Sequence, residues 1–399
     1  MTPVNAVEFE RVDIVFGDQP ERGLARLDRG EDRGSILTHT DQVVGVSNAT
    51  LNIGSGEICV LMGLSGSGKS TLLRAVNGLN PVTRGAVRVA DGEQMVDITR
   101  ATPAVLRRLR THRIAMVFQQ FALLPWRSVA ENVGFGLELR GTPGTERRRI
   151  VAEKLALVGL EEWADKYAHE LSGGMQQRVG LARAFATDPA ILLMDEPFSA
   201  LDPLIRHHLQ DELLALQQRL RKTIVFVSHD LDEAMKLGTH IAIMESGRIV
   251  QYGTPQDIVL APVNDYVADF VAHMNPLNVL RGESLMTRLD DLPRDGQDIL
   301  LDERGLRRLQ LDHGGVAHAA SVSDTPLALL HSEDGNLDGA ASLSDTLVLA
   351  PSTITLRTAI RLRHATGHPV ILLEQGRAVG MLGDQEIYNG MLRQSQRCH

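Results

Sequence analysis

From about residue 8 to 275, short apolar runs alternate with stretches of helical texture. The runs Ile58 to Met62, Ile114 to Phe118, Ile191 to Met194, Ile224 to Ser228 and Ile241 to Glu245 are bounded by glycines or charges and apolar through their interiors. A strand with one wet face would alternate; a continuous run predicts a strand buried on both faces, as in a parallel sheet covered by helices. The first domain is therefore expected to be α/β. Residues 17–45 interrupt the pattern with the charged segment DQPERGLARLDRGEDRGSILTHT, which predicts a helical insertion with a solvated face. After Asn275 and Pro276 the runs become shorter and rich in Asp, Gly and Leu, which places a boundary near 275 and divides the chain into 1–275 and 276–399. Within the tail, 347–393 has an order of its own: a strand at 347–349, a helix at 356–364, strands at 370–373 and 378–382, and a helix at 386–392.

The run Ile58 to Met62 leads into Gly63, Leu64, Ser65, Gly66, Ser67, Gly68, Lys69, Ser70 and Thr71, which fit G-x-x-x-x-G-K-[ST]. Glycines permit a tight turn whose N–H groups point inward at phosphate oxygens, and the helix that follows offers its positive end to the same anion. In such a cradle for ATP, Lys69 is expected to reach the β- and γ-phosphates, the Ser70 hydroxyl to ligate Mg2+ and Thr71 to help hold the α-phosphate. The run Ile191 to Met194 ends in Asp195 and Glu196. At the C-terminal end of a strand in an open α/β sheet, Asp195 is placed to hold Mg2+ through water, and Glu196 to orient or deprotonate the attacking water. Paired acids after a strand are alone often a solvated turn; a phosphate-binding loop in the same chain favours the catalytic reading.

Upstream of these acids, Leu171, Ser172, Gly173, Gly174, Met175 and Gln176 open a helix and are followed by Gln177 and Arg178. Ser172 suits an N-cap, and the two glycines leave the helix N-terminus open as a second phosphate-binding end. An ordinary capped helix would read the same in isolation. Here the chain resembles the ABC ATPase family, whose signature is Leu-Ser-Gly-Gly-Gln, with Met175 standing before the glutamine. The resemblance implies that this motif meets the γ-phosphate held by a partner subunit, so that two ATP molecules are sandwiched in a head-to-tail homodimer. It also implies that Gln119 touches Mg2+ and senses a permease, that Ser199, Ala200, Leu201 and Asp202 communicate between the two sites, and that His229 contacts the γ-phosphate. Phe16 is its candidate for stacking on adenine, with a core phenylalanine as the other reading.

The likeness is densest to the ATPase subunits of importers for glycine betaine, proline betaine and choline, and leans to the choline type because the tail looks abbreviated and divergent. It rests on Val15, Phe16 and Gly17 followed by the charged insertion, and on the stretches GLSGSGKSTLLRAVNGLNPVTRG and MVFQQFALLPWRSVAENVGFGLE. The resemblance implies a P-loop ABC ATPase domain that hydrolyses ATP to drive a separate membrane permease, served indirectly by a substrate-binding protein. The apolar loop from Phe121 to Trp126, beside Gln119, is expected to receive a coupling helix of that permease. Many members end in a pair of CBS modules, and 347–393 resembles a divergent CBS module within a smaller α+β regulatory domain. Where adenosine-binding modules often carry Thr and Asp, this chain has Gly383 and Glu386, so the tail is not expected to bind nucleotide tightly.

Bulk properties then narrow the partners. A formal net charge of −9 and a pI near 5.9 argue against a surface built for nucleic acid. Two cysteines, Cys59 in an apolar run and Cys398 next to last, point to a reducing compartment. No apolar stretch approaches the roughly 20 residues that cross a bilayer, and the first residues lack a basic region followed by an apolar one. The expected location is cytoplasmic, peripheral on the inner face of the membrane through the permease. The alternative, a soluble ABC ATPase of translation or DNA maintenance, usually brings two cassettes or a long coiled coil, and neither is present. A P-loop kinase or GTPase leaves Leu171 to Arg178 and His229 unexplained.

Overall fold

Every residue of the strands Ile58–Met62, Ile191–Asp195 and Thr223–Val227 is buried. These three continuous apolar runs thus become strands covered on both faces, as the lack of alternation requires, whereas Ala115 and Met116 of the edge strand Ile114–Val117 are half-buried. The structure, a computed structural model, describes residues 5–272, 277, 279–333, 335–337 and 342–395. It divides into two compact units, Met1–Pro255 and Gln256–His399.

The first unit begins with β1 (Asn5–Phe16), α1 (Pro20–Leu27), α2 (Arg33–Thr40), β2 (Val43–Gly54), β3 (Ile58–Met62), α3 (Lys69–Ala75), β4 (Arg84–Asp91) and β5 (Gln94–Asp97). It continues with α4 (Pro103–His112), β6 (Ile114–Val117), α5 (Val129–Leu139), α6 (Gly144–Leu157), α7 (Gly173–Ala186), β7 (Ile191–Asp195), α8 (Pro203–Leu220), β8 (Thr223–Val227), α9 (Leu231–Leu237), β9 (His240–Glu245) and β10 (Arg248–Gly253). Two sheets form, one in the order β2-β1-β4-β5 and the other in the order β10-β9-β3-β8-β7-β6. Their common core joins Phe9, Ile53 and Val87 of the first sheet to Leu61, Leu193 and Val225 of the second, with Leu72 and Leu73 of α3 packed among them. Helices α5, α6 and α7 pack on one another.

The charged insertion does not break the first sheet. Phe16 stands opposite Val43 in an antiparallel β1–β2 pair, so α1 and α2 are the connection of one hairpin. They bury Leu24 and Ile36 against Val15 and Val44, each side chain contributing about 1.5–3 kcal/mol of apolar burial. Arg84 of β4 reinforces the dock: its Nε donates to Asp13 at 2.7 Å, and Nη1 and Nη2 fork onto Asp28 at 2.9 and 2.8 Å. The Arg84 guanidinium holds the Asp28 carboxyl below its ordinary pKa.

The second unit begins at the second residue of α10 (Pro255–Leu260) and carries α11 (Asp265–Ala272), α12 (Gly282–Leu285), β11 (Thr287–Arg288), β12 (Arg294–Asp295), β13 (Asp298–Leu300), β14 (Arg307–Leu311), β15 (Ala317–Val322) and β16 (Thr325–His331). It ends with β17 (Thr346–Pro351), α13 (Leu356–Thr366), β18 (Val370–Glu374), β19 (Arg377–Leu382) and α14 (Asp384–Ser395). The strand-helix-strand-strand-helix order read from the sequence is present from β17 to α14, with β17 and β18 parallel and β18 and β19 antiparallel. One nine-stranded sheet unites it with the antiparallel meander β12 to β16 through a parallel β16–β17 pair. The division at 255/256 lies earlier than the change of texture near 275; Asn275 and Pro276 themselves lie outside the described residues. Val259 and Leu260 of α10 pack on Leu280, Leu356 and Ile387, which draws that helix into the second core.

Candidate functional site

In a parallel sheet the strand C-termini share one edge, and the loops leaving that edge converge. β3 runs parallel to β8 and β9, and β7 parallel to β6 and β8. The loop after β3, Gln119 after β6, Asp195 and Glu196 at β7 and His229 after β8 therefore meet at one edge.

The loop after β3 depends on glycine at both ends. Gly63 has φ +140° and a Cβ there would lie 2.1 Å from the Met244 carbonyl oxygen; Gly68 has φ +100° and its Cβ would lie 2.4 Å from that of Gly45. Leu64, Ser65 and Gly66 form its exposed crest, while Ser67 is buried. Lys69, the first residue of α3, folds back across the loop and donates Nζ–H to the carbonyls of Gly63 at 2.8 Å and Leu64 at 2.9 Å. Burial pushes the Lys69 pKa down, and the Glu196 and Asp195 carboxylates oppose that shift. A loop of this kind offers a phosphate chain a cationic lid and a ring of backbone donors.

Asp195 is fully buried at the end of β7. Its Oδ1 accepts from the Ser70 hydroxyl at 2.7 Å and its Oδ2 from Arg74 Nη2 at 3.0 Å. A hydroxyl and a carboxylate oxygen side by side are the hard donors that a small divalent cation takes.

Glu196 sits in the left-handed region at φ +47°, rare for a residue with a Cβ. Its N–H donates to Val227 O at 3.1 Å, which holds the turn against β8. Its Oε2 accepts from Gln119 Nε2 at 3.2 Å and lies 3.2 Å from His229 Nδ1. One carboxylate oxygen is thus shared by an exposed amide and an exposed imidazole, an arrangement able to take a proton from a bound water and stabilise the charge that results. The turn that carries His229 is fixed from below. Ser228 donates its hydroxyl to Glu233 Oε2 at 2.5 Å, burial pushes the Glu233 pKa up, and Asp230 caps α9 by accepting from Glu233 N at 3.1 Å.

Ser172 caps α7, accepting from Met175 N at 3.4 Å, with Leu171 buried and Ser172 and Gly173 exposed. Gln176 turns inward to the carbonyls of Ala168 and Leu171 at 2.9 and 3.2 Å. A Cβ on Gly174 would lie 3.3 Å from Ala200 O, so the helix start and the segment Ser199 to Asp202 are in contact. Within that segment Ser199 Oγ donates to Glu196 O at 3.0 Å, Leu201 is buried, and Asp202 caps α8 by accepting from Ile205 N at 3.0 Å. The sequence motif includes Gln177 without assigning it a contact. Gln177 is 1% exposed, donates to Glu196 O at 3.2 Å and accepts from Ala200 N at 3.2 Å, joining α7 to both segments. The signal was an amide placed where α7 turns its buried side inward.

Phe16 is 37% exposed at the end of β1. A Cβ on Gly45 would lie 2.8 Å from Phe16 Cε2 and 3.0 Å from Thr71 Cγ2, so ring and methyl flank one glycine beside the phosphate loop. The loop from Phe121 to Trp126 has φ +57° at Phe121 and +47° at Ala122, and leaves Trp126 71% exposed. Buried Asn132 staples it, accepting from Leu124 N at 2.8 Å and donating to Leu124 O at 3.1 Å. Arg183 adds donors to Ala122 O at 2.7 Å and Phe121 O at 2.9 Å.

The family described as ABC transporter matches residues 46–199, from β2 through the phosphate loop and α7 to Ser199. A second family, described as an AAA domain, putative AbiEii toxin of a type IV TA system, matches 165–235. The glycine betaine/proline betaine transport system ATP-binding protein ProV of Escherichia coli is 43% identical over 363 residues, 89% of this chain and 88% of that one. The glycine betaine transport ATP-binding protein OpuAA of Bacillus subtilis is 47% identical over 72% of this chain and 68% of its own. A bacterial ABC transporter cassette solved as a dimer superimposes with a TM-score of 0.54 at 30% identity, covering 62% of this chain and 98% of the cassette. Among the described residues no helix is long and apolar enough to cross a membrane. With its phosphate loop and paired carboxylates at one parallel-sheet edge, its capped glycine helix in contact with the segment Ser199 to Asp202, and such relatives along most of its length, the chain belongs to the ATP-binding subunits of ABC transporters.

Proposed function

We propose that the chain hydrolyses ATP as one half of a homodimer and so powers uptake of a quaternary amine, glycine betaine or choline, through a membrane permease supplied by a substrate-binding protein. The observation that carries the catalytic part is the Glu196 carboxylate shared by Gln119 and His229 beside the phosphate loop. Glu196 is the general base, His229 and Lys69 meet the γ-phosphate, Gly63 to Thr71 cradle the phosphates and Phe16 stacks on adenine. Ser70, Asp195 and Gln119 would hold Mg2+, which neutralises charge on the β- and γ-phosphates when bound; the adjoining Ser70 and Asp195 oxygens fit that role. Exposed Ser172, Gly173, Ser199 and Ala200 supply the surface that meets the partner's nucleotide, and the dimeric state of the related cassette supports this.

The substrate class rests on the relatives. The match spans 88% and 68% of the two betaine proteins, but 58% of the choline transport ATP-binding protein OpuBA of Bacillus subtilis, at 43% identity. Reconstitution in vesicles with the permease and binding protein is expected to give ATP-dependent uptake of glycine betaine or choline. Hydrolysis without uptake of either would refute the substrate class and leave the ATPase reading standing. In the same vesicles Trp126→Glu is expected to abolish most uptake while basal hydrolysis stays within about twofold, since a lone exposed aromatic on a stapled loop suits a partner contact. Unimpaired uptake by that variant would remove the loop from the permease contact. Phe16→Ala should weaken ATP binding about tenfold, the scale of one base–aromatic stack, read by titration with a fluorescent nucleotide; unchanged affinity would assign adenine elsewhere.

The second unit is read as regulatory, with 347–393 as a divergent CBS module that does not hold nucleotide. The Glu386 carboxylate is engaged locally, accepting from Thr287 Oγ1 at 2.5 Å and Gly383 N at 2.8 Å, which supports that reading. The chain sits at the inner membrane face through the permease.

A further inference from the structure

The charged insertion reaches the nucleotide site. Arg33, the first residue of α2, donates Nη1–H to the carbonyl of Gly66 at 3.0 Å. Gly66 lies on the exposed crest of the phosphate loop, and a Cβ there would meet nothing within 4 Å. The loop is therefore open at the point that Arg33 touches.

Among the described residues no carboxylate forms an ion pair with Arg33. A helix N-terminus carries the positive end of the dipole and repels positive charge. Burial alone pushes the Arg33 pKa down, with no carboxylate acting against it. Three acids of the insertion are engaged otherwise: Glu31 pairs with Arg26 at 2.6 Å, Asp28 with Arg84, and Asp32 caps α2 by accepting from Ser35 N at 2.9 Å. A local conflict of this kind marks a functional position when something outside the chain resolves it. A guanidinium has five N–H donors in a rigid fork, so one bond to Gly66 leaves others for an anion.

We propose that Arg33 is a phosphate-contacting residue delivered by the insertion, which keeps one N–H on the Gly66 carbonyl and gives another to the terminal phosphate of ATP. The inference rests on the nucleotide reading of the loop. With the α-phosphate at Thr71 and the β- and γ-phosphates at Lys69, Gly66, on the exposed crest that precedes both residues in the chain, is assigned to the terminal end of the chain of phosphates. Arg33 then distinguishes ATP from ADP, and the insertion becomes part of the ATP-bound state.

The test is equilibrium binding of Mg2+ with AMP-PNP, a non-hydrolysable ATP analogue, and with ADP, to the full-length chain. Arg33→Gln is expected to weaken AMP-PNP about tenfold, the loss of one hydrogen bond to a charged group, and ADP less than about twofold. Arg33→Lys should recover part of the AMP-PNP affinity, because a point charge replaces the fork. Equal weakening of both nucleotides would reduce Arg33 to a prop for the loop and overturn the proposal, as would no change in either. A wild-type chain that bound neither would overturn the nucleotide reading itself and this inference with it.

Discussion

Glu196→Gln is expected to bind ATP with near wild-type affinity and to hydrolyse it at least ~10²-fold more slowly. The substitution is nearly isosteric, so the left-handed turn at φ +47° and the N–H bond to Val227 O should persist. The cradle from Gly63 to Thr71 gains no clash, and Lys69 keeps its place over Gly63 and Leu64. What changes is a single capacity. An amide cannot accept the proton of the attacking water, and the oxygen that receives Gln119 and faces His229 loses its charge. ATP should therefore accumulate unhydrolysed, and the dimer with it. Binding titration paired with single-turnover hydrolysis separates the two halves of the expectation. Turnover within a few-fold of wild type would take the base away from Glu196, and loss of ATP binding would show that this carboxylate supports the cradle.

Much of this site was legible in the sequence because its chemistry is local. Nine consecutive residues make the phosphate loop, and each of Asp195, Glu196 and His229 follows a buried apolar run whose direction in a parallel sheet fixes where its end must lie. What escaped depends on contacts between distant segments. Gln177 looks like any polar residue on a helix until its two bonds to Glu196 O and Ala200 N are seen. Phe16 read as ambiguous because the insertion separates it from the next strand in sequence, whereas the β1–β2 register brings it back beside Gly45 and Thr71. The charges at 17–45 read as a solvated face, and most are; Arg33 is distinguished only by where the hairpin carries it. Helix α10 has the same texture as the helices before it, and only Val259 and Leu260 against Leu280, Leu356 and Ile387 place it in the second core. The strands β11 to β16 were hidden for another reason. Several are two or three residues long, too short for alternation to register.

Lys69→Ala is expected to lower ATP affinity by ~10²-fold or more while leaving the fold intact. The ammonium would meet both the β- and the γ-phosphate, and each hydrogen bond between charged groups contributes about 1.5–3 kcal/mol, so losing both costs ~3–6 kcal/mol of binding. Against this stands the desolvation of the ammonium: in the structure the Lys69 side chain is buried, and burial pushes its pKa down, opposed by the Glu196 and Asp195 carboxylates. That term favours removing the side chain, but it acts on stability and leaves the phosphates without their cation. Folding should change little, because Gly63 and Gly68 set the loop by their own φ angles and by the close approach of Met244 O and Gly45 O. Hydrolysis should fall with binding at any ATP concentration below the new Kd. Lys69→Arg is no rescue, since a wider guanidinium must enter a site where the ammonium is buried and already within 2.9 Å of two carbonyls. Circular dichroism and thermal melting check the fold, and nucleotide titration checks the affinity. A well-folded Lys69→Ala chain that bound ATP within about threefold of wild type would place the phosphates somewhere other than this loop.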